Sequence, residues 1–308
     1  MRPILRTATG LAAVGLLIAI PASDAHAQRA IDETRSLSRD GAVDVENLAG
    51  SVRVRGWNRD EVRVTGTLGR NVEALDIDGS GSRVSIRVRH PRRSGSWRDS
   101  GTELEIRVPA GARLRVEAVS ADIDVEGVDG RLDLESVSGD VDIRGAGGAV
   151  RAESVSGTVR FEGTSRDLRL QAVSGDVVVV GVDGAVVRAG SVSGDVDIRG
   201  GTFRDGTFET VSGSVAFQGA LASDGSFEFE SHSGRVLLEL TGEVNATFDL
   251  STFSGDIRGS VGDMDLADHV QRTSRWTPGK EGRLTVGRGS ARVGASSFSG
   301  TVEIRHRP

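Results

Sequence analysis

A seven-residue phrase that returns almost unchanged constrains this chain more than any other feature. Val137-Ser138-Gly139-Asp140-Val141-Asp142-Ile143 recurs at Val192 to Ile198. Looser copies begin at Val119, Val155, Val173, Val211, His232, Phe253 and Phe298. Successive spacings are 18, 18, 18, 19, 19, 21 and 21 residues, followed by a gap of 45. With the first residue of each copy as position zero, apolar residues stand at −5, −3, 0, +4 and +6. In one copy these are Leu132, Leu134, Val137, Val141 and Ile143. The same template finds an early copy without the Ser-Gly wording, Val43, Val45, Leu48, Val52 and Val54, which makes ten.

Alternation at −5 and −3, and again at +4 and +6, is the period of a strand with one buried face. Between −3 and +4 the parity slips by one residue, so the chain turns there. Ser138-Gly139, Ser156-Gly157, Ser174-Gly175 and Ser193-Gly194 occupy that slip and are read as structural corners, with glycine supplying backbone freedom. A second turn, such as Gly127-Val128-Asp129-Gly130, ends each unit. One unit cannot bury its apolar face alone, so units must stack and share a core. The expected fold is all-β, a single-stranded, β-helix-like solenoid of repeats of 18 to 21 residues. A left-handed helix of hexapeptides is excluded because residues 132, 138 and 144 are Leu, Ser and Arg. An antiparallel sandwich, which suits the same alternation, stays open.

Expected boundaries follow. Residues 1–27 read as a cleaved signal peptide: Arg2 and Arg6, the apolar run Leu11 to Ile20, then Ala25-His26-Ala27. Residues 28–113 hold less regular N-terminal β coils, with the first copy, alternating strands over Glu61 to Thr67, Arg83 to Val88 and Glu103 to Val108, and a polar loop from His90 to Ser100. Residues 114–257 are the regular solenoid. Residues 258–308 hold a loop insertion and a repeat expected to cap the end. The mature chain shows no second apolar run of spanning length. Without cysteine, stability comes from packing and not from disulfides. The signal carries one net positive charge, which leaves the remainder at −7 from a formal −6 and argues against a nucleic-acid binder.

These repeats resemble the bacterial DUF4097 family. The resemblance lies in the serial Val-Ser-Gly-Asp-Val-x-Ile copies and in Leu104-Glu105-Ile106-Arg107-Val108-Pro109 leading into Leu114-Arg115-Val116. It spans roughly residues 40 to 305. It implies an exported β-strand repeat protein labelled an adhesin, and it supplies no catalytic residues.

Chemistry-bearing residues are few. Asp122 and Asp140 share position +3, and Asp124 and Asp142 share +5. Rungs about 4.8 Å apart bring each pair within reach of one cation such as calcium. The plainer reading is the outward face of a strand. The serine column lacks the base and acid that a nucleophile needs. No histidine pair has metal-ligand spacing, and His232, standing at an apolar position, is expected in the core. Trp57, Trp97 and Trp276 lie outside the regular copies, and together with Arg92 and Arg93 they are candidates for contact with an anionic glycan. The functional expectation is therefore a non-enzymatic envelope or surface protein, periplasmic or extracellular, without a cofactor. It would act as scaffold or adhesin-like module toward a glycan or an envelope protein. Two alternatives stand beside it: a polysaccharide-degrading enzyme working through the four aspartates, and a periplasmic sensor or accessory module that binds a partner protein.

Overall fold

Parallel pairing in strict register is what the repeat produces. In the computed structural model, residues 29–91, 101–145, 147–182, 186–273 and 278–307 are described. The proposed signal peptide, Arg92, Arg93, Trp97 and Trp276 lie outside them. Each regular copy forms one rung of two strands, for example Leu132–Ser136 with Val141–Arg144, and Ala149–Ser154 with Val159–Glu162. First strands pair in parallel with first strands, Leu132 opposite Val150 and Leu168 opposite Val187. Second strands do the same, Val141 opposite Val159 and Val177 opposite Val196. Two walls of stacked strands thus enclose a continuous core, and the fold is a β-solenoid.

The core lies where alternation places it. Leu132, Leu134, Val141 and Ile143 are each 0% exposed, as are Leu168, Leu170, Val177 and Val179. Where the repeat lengthens to 19 and 21 residues, larger side chains fill the wider rungs. Phe208, Phe217 and Phe229 pack there, with ring centroids 5.1 Å apart for Phe208–Phe229 and 5.4 Å for Phe217–Phe229.

Three features of the corner lie beyond the sequence reading or depart from it. Glycines at +2 have no positive φ. They are required for space: a Cβ on Gly157 would stand 2.1 Å from the Gly139 carbonyl oxygen, and one on Gly175 would stand 2.1 Å from that of Gly157. The residue at −1, small and most often Ser or Thr, is buried. Ser154 Oγ donates to Gly139 O at 3.0 Å, Ser191 Oγ to Gly175 O at 2.9 Å and Thr210 Oγ1 to Gly194 O at 2.9 Å. Buried hydroxyls need such partners, and these tie each rung to its predecessor. Finally, position zero is exposed.

Both ends of the solenoid are interleaved. Residues 42–47 of the strand Arg29–Trp57 lie between residues 83–87 and 113–118, and residues 50–57 lie between 102–109 and 120–126. The outermost rung therefore comes from residues 83–87 and 102–109, within the less regular N-terminal β coils and on strands that alternation marks. The C-terminal copy, Ala291–Ser297 and Thr301–Arg307, is not a cap either. Its first strand inserts between residues 226–231 and Ala246–Thr252, and its second between residues 236–241 and Asp256–Val261. The 45-residue gap lets the chain run out to the end and return. A terminal segment placed this way has a neighbour on each side and does not fray as an edge. Antiparallel strands then cover the outer rungs, Glu61–Leu68 against residues 103–107 and Lys280–Val286 against Ala246–Thr252.

Candidate functional site

Period two from −5 and −3 buries −1, so position zero must point outward. The structure obeys the parity and not the apolarity. Val119, Val137, Val155, Val173, Val192 and Val211 are 43 to 48% exposed, and Phe253 and Phe298 are 47% and 49% exposed. His232 is likewise exposed, which corrects the core reading. Register stacks these side chains in one column along the corner. Because the C-terminal copy is interleaved, the column ends in the order Val211, His232, Phe298, Phe253. Ring centroids are 4.8 Å apart for His232–Phe298 and for Phe253–Phe298, with interplanar angles of 4° and 6°. Phe298 thus has a ring against each of its faces, with His232 on one side and Phe253 on the other.

Beside this stripe runs an open groove of about 1150 Å3. Its apolar side is Leu48, Val119, Val137, Val155, Val173, Val192, Val211 and His232. The other side is the −2 column, Glu46, Glu117, Glu135, Glu153, Gln171, Gly190, Glu209 and Glu230. Small residues at −1, among them Ala118, Ser136 and Ala172, line it between the two. From Leu48 to His232 the groove crosses rungs spaced about 4.8 Å apart, a length of roughly 34 Å.

The acidic column is not uniform. Glu46 is bonded by Arg87 at 2.6 Å, and that bond holds its carboxyl below the usual glutamate range against the opposing effect of burial. Arg115 pairs with Glu117 at 2.7 Å and with Glu135 at 3.5 Å, and Arg151 pairs with Glu153. Among the described residues Glu209 and Glu230 have no ion pair. Next to them, burial first, and then the charges of Glu230 and Asp249, push the Glu228 carboxyl up. The −4 column carries Arg151, Arg169 and Arg188 beside a smaller cleft that Gln171 and Gly190 leave open.

The aspartates have other partners. Asp122 Oδ1 accepts from Asp140 N at 3.1 Å, and Asp140 Oδ1 accepts from Thr158 N at 2.8 Å. Asp176 and Asp195 repeat the pattern at 2.8 and 2.7 Å. This carboxylate ladder ties corner to corner. Asp124 is held between the guanidinium groups of Arg55 and Arg144. Burial would raise its pKa, but those bonds and charges outweigh it and leave the carboxyl below the usual range. Asp142 faces Arg144 at 3.7 Å. Among the described residues no group of three or more His, Asp or Glu side chains is poised to hold a metal ion.

The corner serines Ser138, Ser156, Ser174 and Ser193 are exposed. Their backbone N–H groups bond the preceding rung, as Ser138 N does to Val119 O at 2.7 Å. Trp57 stands away from the groove, its Nε1 donating to Glu61 O at 2.9 Å and its ring covered by Arg59 at 5.1 Å. Arg83, Arg87 and Arg89 are paired with Asp44, Glu46 and Asp76. Among the described residues no helix is long and apolar enough to cross a membrane.

A sequence model of the family described as Toastrack DUF4097 matches residues 41–305. Comparison with curated proteins gives no match. Solved structures to which this chain is similar include three described as candidate adhesins. The one from Parabacteroides distasonis is 13% identical with a TM-score of 0.47, over 90% of this chain and 97% of that one. The one from Parabacteroides merdae is 9% identical with a TM-score of 0.42, over 91% and 97%. The one from Bacteroides fragilis is 10% identical with a TM-score of 0.36, over 91% and 98%.

Proposed function

From the premise that the chain belongs to the Toastrack DUF4097 family, we propose that it is an exported, non-enzymatic contact module of the cell envelope or surface. The observation that carries this reading is the exposed stripe from Val119 to Phe253. Large contiguous apolar surface on an otherwise polar exterior marks a docking site. The solenoid core does not need these side chains, because −5, −3, +4 and +6 already fill it. A rigid stack with a repeated outer face is suited to extended contact.

The partners of the aspartates weigh against the polysaccharide-degrading alternative. General acid catalysis needs a carboxyl that holds its proton near working pH. Asp124, clamped by two arginines, is shifted the opposite way. Asp122 and Asp140 are engaged with backbone N–H groups. In a test, the protein is incubated with washed envelope and with a panel of bacterial and plant polysaccharides. Retention without release of reducing or unsaturated ends is expected. Release of such ends refutes the non-enzymatic reading.

A further inference from the structure

Resting on that reading and narrowing it, we propose that the groove receives an extended polypeptide segment of about ten residues, alternating basic and aliphatic side chains. Three observations select this occupant.

The first is shape. The groove is open and runs across the rungs for roughly 34 Å, with a volume of about 1150 Å3, a trough that one extended chain can follow along its length. At about 3.3 Å per residue, ten residues fill that length.

The second is the chemistry of the two sides. Successive side chains of an extended chain point in opposite directions. One row then meets the isopropyl groups of Val155, Val173, Val192 and Val211, and the other meets the glutamate column. A cation gains most at Glu209 and Glu230, which have no arginine partner among the described residues. Where Gln171 and Gly190 interrupt the column, Arg169 and Arg188 stand behind, so basic residues are favoured at the two flanks of that break and not within it.

The third is what the stripe does not offer. Sugar rings dock on exposed aromatic faces, but among the described residues no Trp or Phe lines the groove. Corner N–H groups are already bonded from rung to rung, as in Val137 N to Ala118 O and Val155 N to Ser136 O. An incoming chain therefore cannot add a strand here. Recognition rests on side chains, which makes it dependent on their order.

The test uses the full chain and fluorescein-labelled ten-residue peptides, read by anisotropy at low salt. The probes are alternating Lys-Val, the same composition as a Lys block followed by a Val block, and alternating Glu-Val. Alternating Lys-Val is expected to bind, block Lys-Val to bind more weakly, and Glu-Val not to bind. Exposed charge pairs are individually weak, so Glu209→Gln with Glu230→Gln reduces affinity roughly three- to tenfold. Val192→Ser with Val211→Ser reduces it further, and circular dichroism confirms that both variants keep the wild-type fold. Equal binding of the two Lys-Val peptides, or binding that neither double variant changes, overturns the inference. Retention of polysaccharide with no peptide binding also overturns it, while leaving the contact-module reading in place.

Discussion

Substituting Gly157 with alanine probes how the rungs are joined. Its φ is ordinary, so alanine meets no conformational penalty there. The obstacle is the Gly139 carbonyl, whose oxygen would lie 2.1 Å and carbon 2.5 Å from the new methyl. Restoring van der Waals contact requires the two rungs to part by about 1 Å. That displacement loosens Ser154 Oγ to Gly139 O at 3.0 Å and Thr158 N to Asp140 Oδ1 at 2.8 Å. Each such bond contributes about 1 kcal/mol, and overpacking adds about 1–3 kcal/mol, for a loss of roughly 3–5 kcal/mol. Gly181 is the control. Its φ is +68° and nothing stands within 4 Å of the place a methyl would take, so alanine there incurs only the left-handed penalty of about 1–2 kcal/mol. Reduced freedom of the unfolded chain returns a fraction of that. Urea unfolding of the two variants should therefore show a much larger fall in midpoint for Gly157→Ala. Equal falls, or a larger one for Gly181→Ala, would refute the argument that +2 is glycine for space.

Other outcomes follow from the same geometry. Ser154→Ala leaves the Gly139 carbonyl and the Gly157 N–H without their 3.0 Å partner, and should lower unfolding free energy by about 1–2 kcal/mol in urea titrations. Folded-state pKa values of Asp124, Asp256 and Glu303 lie below their unfolded values, so the stability they contribute is present above the unfolded pKa and is lost as pH falls through the folded one. Urea midpoints should thus hold from pH 7 to about 5 and drop below about 4, with a shallower drop in Asp124→Asn. Glu228, raised, works in the opposite sense, and Glu228→Gln should be neutral or stabilising at pH 7. Removing residues 291–307 withdraws a rung from inside the stack. Hydrogen exchange should then reveal loss of protection in residues 226–241 and 246–261, not merely at the chain end.

Much of this architecture was legible in the sequence, because alternation is a direct record of which side faces the core. Leu132, Leu134, Val141 and Ile143 could be placed by eye. Position zero misled because its valines look like core residues, although the period that buries −5 and −3 puts −1 inside and zero outside. Ser136 and Ser154 escaped notice for the converse reason: a hydroxyl reads as surface until a carbonyl is found for it. Spatial order was hidden altogether. Spacing says where the copy at Phe298 occurs in the chain, but only pairing shows that it lies between the copies at His232 and Phe253. The 45-residue gap was the available hint. Ion pairs such as Asp124 with Arg55 and Arg144 join residues 69 and 20 positions apart, and follow from register and not from any local pattern.

The exposed stripe serves either contact or folding, and one pair of substitutions separates the two. Val137→Asp with Val192→Asp puts two charges into the column three rungs apart, too far from each other for strong repulsion. Urea midpoint and retention on washed envelope should be measured on the same preparation. An unchanged midpoint, within about 0.5 kcal/mol per site, together with lost retention is the predicted result. A large fall in stability with retention intact would mean that the valines belong to the fold, and that the working surface lies elsewhere.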